Sequence, residues 1–206
     1  MVQWLIETDH AIFFFLNRMA AWTPLMELAA WLSALGRYPI LLFALIPLTL
    51  RGWSRFYPHL LAMLIVLPFA FGVNYGLKDA VRRFRPMGYY ERVPNPVPVT
   101  IQYRERMTRR SFPSGHTTMA FFAMGYLVFA RRRHAFWAFP LAVGVAWSRV
   151  AVGAHFPVDC AAGALLGSIW ALLAWRIHCF WESRSCNQPQ RPIPGPGPSS
   201  GCCSGC

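Results

Sequence analysis

The stretch Ser148-Arg149-Val150-Ala151-Val152-Gly153-Ala154-His155-Phe156-Pro157-Val158-Asp159 decides how this chain is read. It joins two apolar runs, residues 135–152 and 158–177, each long enough to cross a bilayer. An arginine, a histidine and a carboxylate stand where hydrocarbon gives way to water. Ionisable groups at that depth are costly and are functional candidates by default. Pro157 has the fixed φ that suits the first turn of a helix. Asp159 then lies about one turn inside that helix, within reach of His155 just outside it. A carboxylate that holds one imidazole nitrogen fixes the tautomer and makes the other nitrogen the nucleophile. The stretch reads as half of a phosphate-transfer site whose other half lies upstream.

Composition supports a membrane setting. Of 206 residues, 55% are hydrophobic and 14% charged. Membrane-length apolar runs make the expected fold all-α, a polytopic bundle of about six transmembrane helices with an N-terminal interfacial helix. Residues 2–19 supply that surface helix, with Trp4, Leu5, Ile12, Phe13 and Leu16 set against Glu7, Asp9 and Asn17. The expected spans are 22–35, 40–50, 60–77 with a kink at Pro68, 114–130, 135–152 and 158–177. The first two are short for full crossings. Glu7 and Asp9 occupy the place where a signal peptide carries basic residues, so the start does not read as a leader. The expected organisation is one membrane-embedded domain over 1–181, its motif core at 78–159, followed by a disordered Pro/Gly/Ser/Cys-rich tail over 182–206. Cys160 reads as a small buried thiol. Cys186, Cys202, Cys203 and Cys206 lack paired metal-ligand spacing.

The formal charge of +12 points to an anionic substrate or anionic lipid, because no nucleic-acid module is visible. The short loops 51–55 and 131–134 carry five cations against one in 36–39. The positive-inside rule therefore puts those loops, and both termini, in the cytoplasm. The connection after the third span and the 148–159 stretch then face outward. Their surplus of cations needs another cause, which phosphate binding supplies.

Three clusters share that outer side. Lys78 and Arg85 are seven residues apart, about two helical turns, so both can face one way. A point charge and a planar fork both suit phosphate oxygens. Pro113-Ser114-Gly115-His116 opens the fourth span, where free backbone N–H groups and the helix dipole favour an anion. Gly115 lets the backbone approach closely, and His116 stands where it can protonate a leaving oxygen. Arg149 adds a third cation beside His155 and Asp159. Two histidines and an aspartate are also metal-ligand types, but a cationic cradle repels a metal ion.

Together the clusters resemble the signature of the type-2 phosphatidic acid phosphatase superfamily: K-x6-R-P, then P-S-G-H, then S-R-x5-H-x3-D. Its positions are met in order by Lys78, Arg85, Pro86, Pro113, Ser114, Gly115, His116, Ser148, Arg149, His155 and Asp159. The likeness covers roughly residues 60–178. It implies a membrane-surface phosphatase that needs no metal and no cofactor. It implies that His155 attacks phosphorus to give a phosphohistidine, that Asp159 supports it, and that His116 is general acid and later activates water. It further implies that Lys78, Arg85, Ser114, Gly115 and Arg149 clamp the phosphoryl oxygens.

A membrane-level site favours an amphiphile as substrate, with membrane lipids as surroundings and no nucleic-acid partner. The compact form looks most like bacterial members acting on undecaprenyl diphosphate at the outer face of the inner membrane. Phosphatidylglycerol phosphate, phosphatidate, lipid A phosphates and lipid-to-lipid phosphotransfer are the alternatives. The Arg-rich connection 87–112 reads either as a lid over a polyanionic headgroup or as a solvated loop.

Overall fold

Small residues set how closely these helices pack. The computed structural model describes residues 2–37, 53–93, 99–100 and 108–186. Within them lie α1 (Val2–Ala20), α2 (Thr23–Arg37), α3 (Trp53–Val81), the short α4 (Pro86–Tyr90), α5 (Gly115–Ala130), α6 (Ala135–Ala151) and α7 (Pro157–Cys186). A single 3-10 turn, Arg132–His134, joins α5 to α6. The expected 40–50 span lies outside the described residues, as does the tail beyond Cys186. Helix α7 runs five residues past 181, the boundary expected for the membrane domain.

Two stretches, Tyr57–Tyr90 and Pro157–Arg184, are long and apolar enough to cross a membrane. Large apolar side chains on them face outward, among them Leu64, Phe69, Phe71, Leu165, Ile169 and Leu172. That is the pattern of a bundle whose solvent is lipid, where an exposed leucine costs nothing. Helix α3 carries Pro58 and Pro68 inside one continuous element, and α6 carries Pro140 likewise.

Helices α5 and α7 touch backbone to backbone. A Cβ added to Gly163 would lie 2.6 Å from the Ser114 carbonyl oxygen, and one on Gly167 would lie 2.3 Å from that of Thr118. Lower down, Gly125 faces Ala171. This small-xxx-small seam is how apolar helices associate where no hydrophobic drive separates them from lipid. Met63, Val66, Ala70, Met119, Phe122 and Tyr126 then close α3 onto the pair. A second cluster, including Ala123, Leu127, Ala142 and Val145, joins α5 to α6.

The seam fixes the functional end of the bundle. There the N-termini of α5 and α7 meet the C-termini of α3 and α6. Helix α1 forms where expected, and its polar residues show how it sits. Asp9 and Asn17 are buried together with Phe13, whereas Trp4, Leu5, Ile12 and Phe15 are exposed. Asp9 Oδ1 accepts from the Val158 N–H at the start of α7, at 2.9 Å. Asn17 Nδ2 donates to the Ala151 carbonyl at the end of α6, at 2.9 Å. Those two anchors are eight residues apart, about 12 Å of helix. Both lie at one end of the bundle, so α1 lies across that end, as a surface helix does.

Candidate active site

The start of α7 shows why Asp159 sits where it does. Phe156 is the residue before Pro157, and Asp159 Oδ2 accepts its backbone N–H at 3.0 Å. A carboxylate at the third helical position reaching back to the cap N–H is half of a capping box. The Ser114 N–H at the head of α5 donates to the Asp159 carbonyl at 3.0 Å. Asp159 therefore belongs to both helix starts that carry the motifs. Gly153 takes a φ of 75°, a left-handed conformation that glycine adopts at no steric cost. It turns the chain from α6 so that the N–H groups of Ala154 and His155 both return to the Arg149 carbonyl, at 3.0 and 3.1 Å. His155 is thereby held, fully buried, between the two helices.

Lys78, Arg85 and Arg149 converge, but not by the two helical turns expected between Lys78 and Arg85: α3 ends at Val81, and Arg85 is the extended residue that precedes α4. The charges of Arg85 and Arg149 act on Lys78, and the same two act on the His155 imidazole. Lys78 Nζ donates to the carbonyls of Pro113 at 2.6 Å and Arg110 at 3.2 Å. This draws the lysine against the head of α5, beside Gly115 and Asn74. Arg85 is buried, its Nε donating to the Arg109 carbonyl at 3.2 Å and a terminal nitrogen to the Ala154 carbonyl at 3.4 Å. Arg149 is buried as well and donates to the Ser33 hydroxyl of α2.

Ser114 caps α5, accepting from the Thr117 hydroxyl at 3.0 Å. His116 lies in the first turn. Gly36 of α2 packs on it: a Cβ there would come within 3.1 Å of His116 Cβ and 2.7 Å of a Val145 methyl. Asn74 Nδ2 donates to Thr118 Oγ1 at 2.9 Å and ties α3 to the same turn. Lys78, Arg85, Ser114, Gly115, His116, Arg149, His155 and Asp159 thus surround one end of the bundle.

One expected contact differs. His155 Nδ1 is 3.8 Å from Asp159 Oδ2, too far for a hydrogen bond. The buried Ser111 hydroxyl stands between them. It donates to Asp159 Oδ2 and lies 3.3 Å from His155 Nδ1. A hydroxyl has one proton, and this one is given to the carboxylate. Nδ1 must then be the donor to Ser111, which leaves the Nε2 lone pair available.

Sequence reasoning missed three residues here. Arg83 bridges two carboxylates, Asp159 Oδ1 at 2.7 Å and Asp9 Oδ2 at 2.6 Å. Its guanidinium also lies over the Phe156 ring, 4.5 Å from the centroid. In the sequence Asp9 marks only the polar side of the surface helix. Ser111 arrives through pairing of the returning chain: Ser111 N–H donates to the Arg83 carbonyl at 3.0 Å and Arg85 N–H to the Thr108 carbonyl at 2.9 Å. Arg82 and Arg110, which flank that pairing, take left-handed φ values of 48° and 61°. Such strain concentrates at functional sites.

Burial pushes the His155 imidazole down to about 3. The Arg85 and Arg149 charges add to the effect, and Asp159 opposes it. The ring is neutral and nucleophilic throughout the neutral range. Fixed cations and helix N-termini around it make a cradle for a tetrahedral anion.

A family profile described as "PAP2 superfamily" matches residues 58–182. Among curated proteins, the chain is 45% identical over 74 residues to a protein of Escherichia coli named "Putative undecaprenyl-diphosphatase YbjG". That match takes in 35% of this chain and 36% of the relative. It is 49% identical over 70 residues to a "Lipid A 1-phosphatase" of Rhizobium etli, covering 33% of this chain and 29% of that one. The matched stretch is therefore about a third of the length of these relatives. In fold the chain resembles a solved structure titled as the first transmembrane PAP2 type phosphatidylglycerolphosphate phosphatase from Bacillus subtilis. The TM-score is 0.61 at 21% identity, with 90% of this chain and 89% of that chain covered.

Proposed function

The chain belongs to the PAP2 superfamily, and on that premise we propose that it is an integral-membrane lipid phosphatase working without a metal through a phosphohistidine. The observation that carries this is the buried His155, its Nδ1 occupied and its Nε2 available, among the charges of Lys78, Arg85 and Arg149. The cations and the N–H groups at Ser114 and Gly115 bind the phosphoryl oxygens and take up charge as it develops. Nε2 of His155 attacks phosphorus while the bond to the lipid oxygen breaks. His116 gives that oxygen its proton. Water then attacks the phosphohistidine, His116 takes a proton from it, and phosphate leaves.

The lipid is undecaprenyl diphosphate. The names of relatives that share its sequence support both this and a lipid A phosphate, and phosphatidate and phosphatidylglycerol phosphate fit the same cradle. The Arg131-Arg132-Arg133 turn lies at the opposite end of α5 from the site. The positive-inside rule then turns the site to the outer face of a bacterial inner membrane.

Purified protein in detergent with a chelator is given undecaprenyl diphosphate, lipid A 1-phosphate, phosphatidate and phosphatidylglycerol phosphate, and released phosphate is measured. Turnover is fastest on the diphosphate, is inhibited by orthovanadate and vanishes in His155→Ala. His116→Asn slows turnover about 10²- to 10⁴-fold and keeps most of the vanadate affinity. No phosphate release from any of the four lipids refutes the reading.

A further inference from the structure

We propose that Ser111 is a positioning residue for the phosphohistidine step, its hydroxyl linking the nucleophile His155 to Asp159 across the 3.8 Å between Nδ1 and Oδ2. This rests on the phosphatase reading above. The gap is 3.8 Å between Nδ1 and Oδ2, and the hydroxyl fills it from a loop that is itself pinned by backbone. Ser111, His155 and Asp159 are all buried, so water does not compete for the bridge. The Asp159 carboxylate is also held by other donors. Oδ1 takes Arg83, and Oδ2 takes both the Phe156 N–H and the Ser111 hydroxyl. With both oxygens engaged, the carboxylate is held 3.8 Å from Nδ1, and the Ser111 hydroxyl is placed to link the two.

The hydroxyl does two things. Before reaction it holds Nδ1 in the protonated state, which makes Nε2 the attacking atom. During attack the Nε2–P bond forms as the P–O bond to the lipid breaks, and the leaving oxygen receives its proton from His116. The imidazole becomes a cation that keeps its Nδ1 proton. No proton moves along the bridge. Instead the Nδ1–H bond to Ser111 becomes charge-assisted as positive charge appears on the ring, and the bond from Ser111 to the carboxylate, already charge-assisted, strengthens with it. Hydrogen bonds in a dry site also polarise one another, so the far carboxylate stabilises the cation through the hydroxyl. Water's attack reverses the sequence and returns a neutral ring. Ser111 touches neither substrate nor phosphorus. Its effect belongs on turnover rather than on binding.

The test uses full-length protein in detergent, with the wild type first shown to release phosphate from a prenyl diphosphate and His155→Ala shown to be dead. Failure of that control overturns the phosphatase reading and the Ser111 proposal with it, whereas a passed control followed by any of the results below overturns the Ser111 proposal alone. Ser111→Ala is then expected to lower kcat about 10- to 100-fold, the range for removing an outer partner of a working histidine. KM and the inhibition constant of orthovanadate stay within about threefold. Because Ser111 acts through Asp159, Ser111→Ala placed on Asp159→Asn costs no more than a further twofold. Ser111→Cys, a poorer donor of similar size, falls between wild type and Ala, and it carries the comparison if the Ala protein does not fold. Four results overturn the proposal: kcat within twofold of wild type, parallel loss of kcat and vanadate affinity, fully multiplicative losses in the double variant, or a Cys variant no better than His155→Ala.

Discussion

Arg83 ties two buried carboxylates together, and replacing it shows how much of the site depends on that. In Arg83→Met the stem packing is kept and the guanidinium is lost. Asp159 is fully buried and Asp9 nearly so, while Arg83 is about a quarter exposed. Two charge-assisted hydrogen bonds disappear, each worth about 1.5–3 kcal/mol. Breaking a buried pair by removing one partner costs about 3–5 kcal/mol. Each carboxylate retains a backbone donor, Val158 N–H for Asp9 and Phe156 N–H for Asp159. With Arg83 partly solvated, the lower end applies, about 3 kcal/mol. For a chain of this size that corresponds to a Tm fall of about 6–12 °C. The assay is thermal unfolding in one detergent at one pH, for Arg83→Met, Asp9→Asn and the double variant. The two sites share a bond, so the double variant loses less than the sum, with a coupling of about 1–3 kcal/mol. A Tm change under about 2 °C in Arg83→Met, or additive losses, refutes the reasoning.

Two more outcomes follow from the packing and the charge. The His155 imidazole lies at about 3 in the folded chain against an ordinary 6.5. The unfolded chain therefore binds a proton below 6.5 that the folded chain refuses, so stability is unaffected above 6.5 and falls as pH drops from 6.5 toward 3. By pH 5.5 this amounts to roughly 1 kcal/mol. His155→Asn flattens that part of the Tm–pH curve, and equal slopes in the two proteins contradict it. Gly167→Ala drives a methyl to 2.3 Å from the Thr118 carbonyl oxygen. It costs about 1–3 kcal/mol as overpacking does, and it lowers turnover because α5 and α7 carry the two halves of the site. Gly72→Ala and Gly76→Ala, with nothing within 4 Å, are neutral or stabilising controls. Equal Tm changes at 72 and 167 dispose of the argument.

The contrast between what sequence shows and hides is local against non-local. Ser114 to His116 sit in one helix start, and His155 with Asp159 flank another, so local geometry aims them, and Lys78, Arg85 and Arg149 are recognisable as cations near those starts although the chain leaves the helix between Lys78 and Arg85. Arg83 is hidden because Arg82-Arg83-Phe84-Arg85 lies where the helix has ended and no period says which arginine points inward. Its partners are 74 and 76 residues away. Ser111 acts across 44 and 48 residues. One signal was available for Asp9: it shares a helix face with Phe13 and Asn17, and that face is the buried one. A lone carboxylate in line with a buried phenylalanine marks a docking face rather than a wet one. The fold itself was legible because apolar runs fix helices regardless of their partners, although residues 40–50 fall outside the described part of the chain.

The glycine seam also bears on how the site can be inhibited. With Gly163 and Gly167 set against the Ser114 and Thr118 carbonyls, the arms that would receive and release a phosphoryl group are held at fixed spacing. A small tetrahedral mimic gains its affinity from these rigid groups and is rewarded for matching them. Selectivity among lipid phosphatases has to be sought outside that seam, from compounds that engage α1 near Asp9, His10 and Phe13, where that helix lies across the end of the bundle against Tyr90 and Phe156.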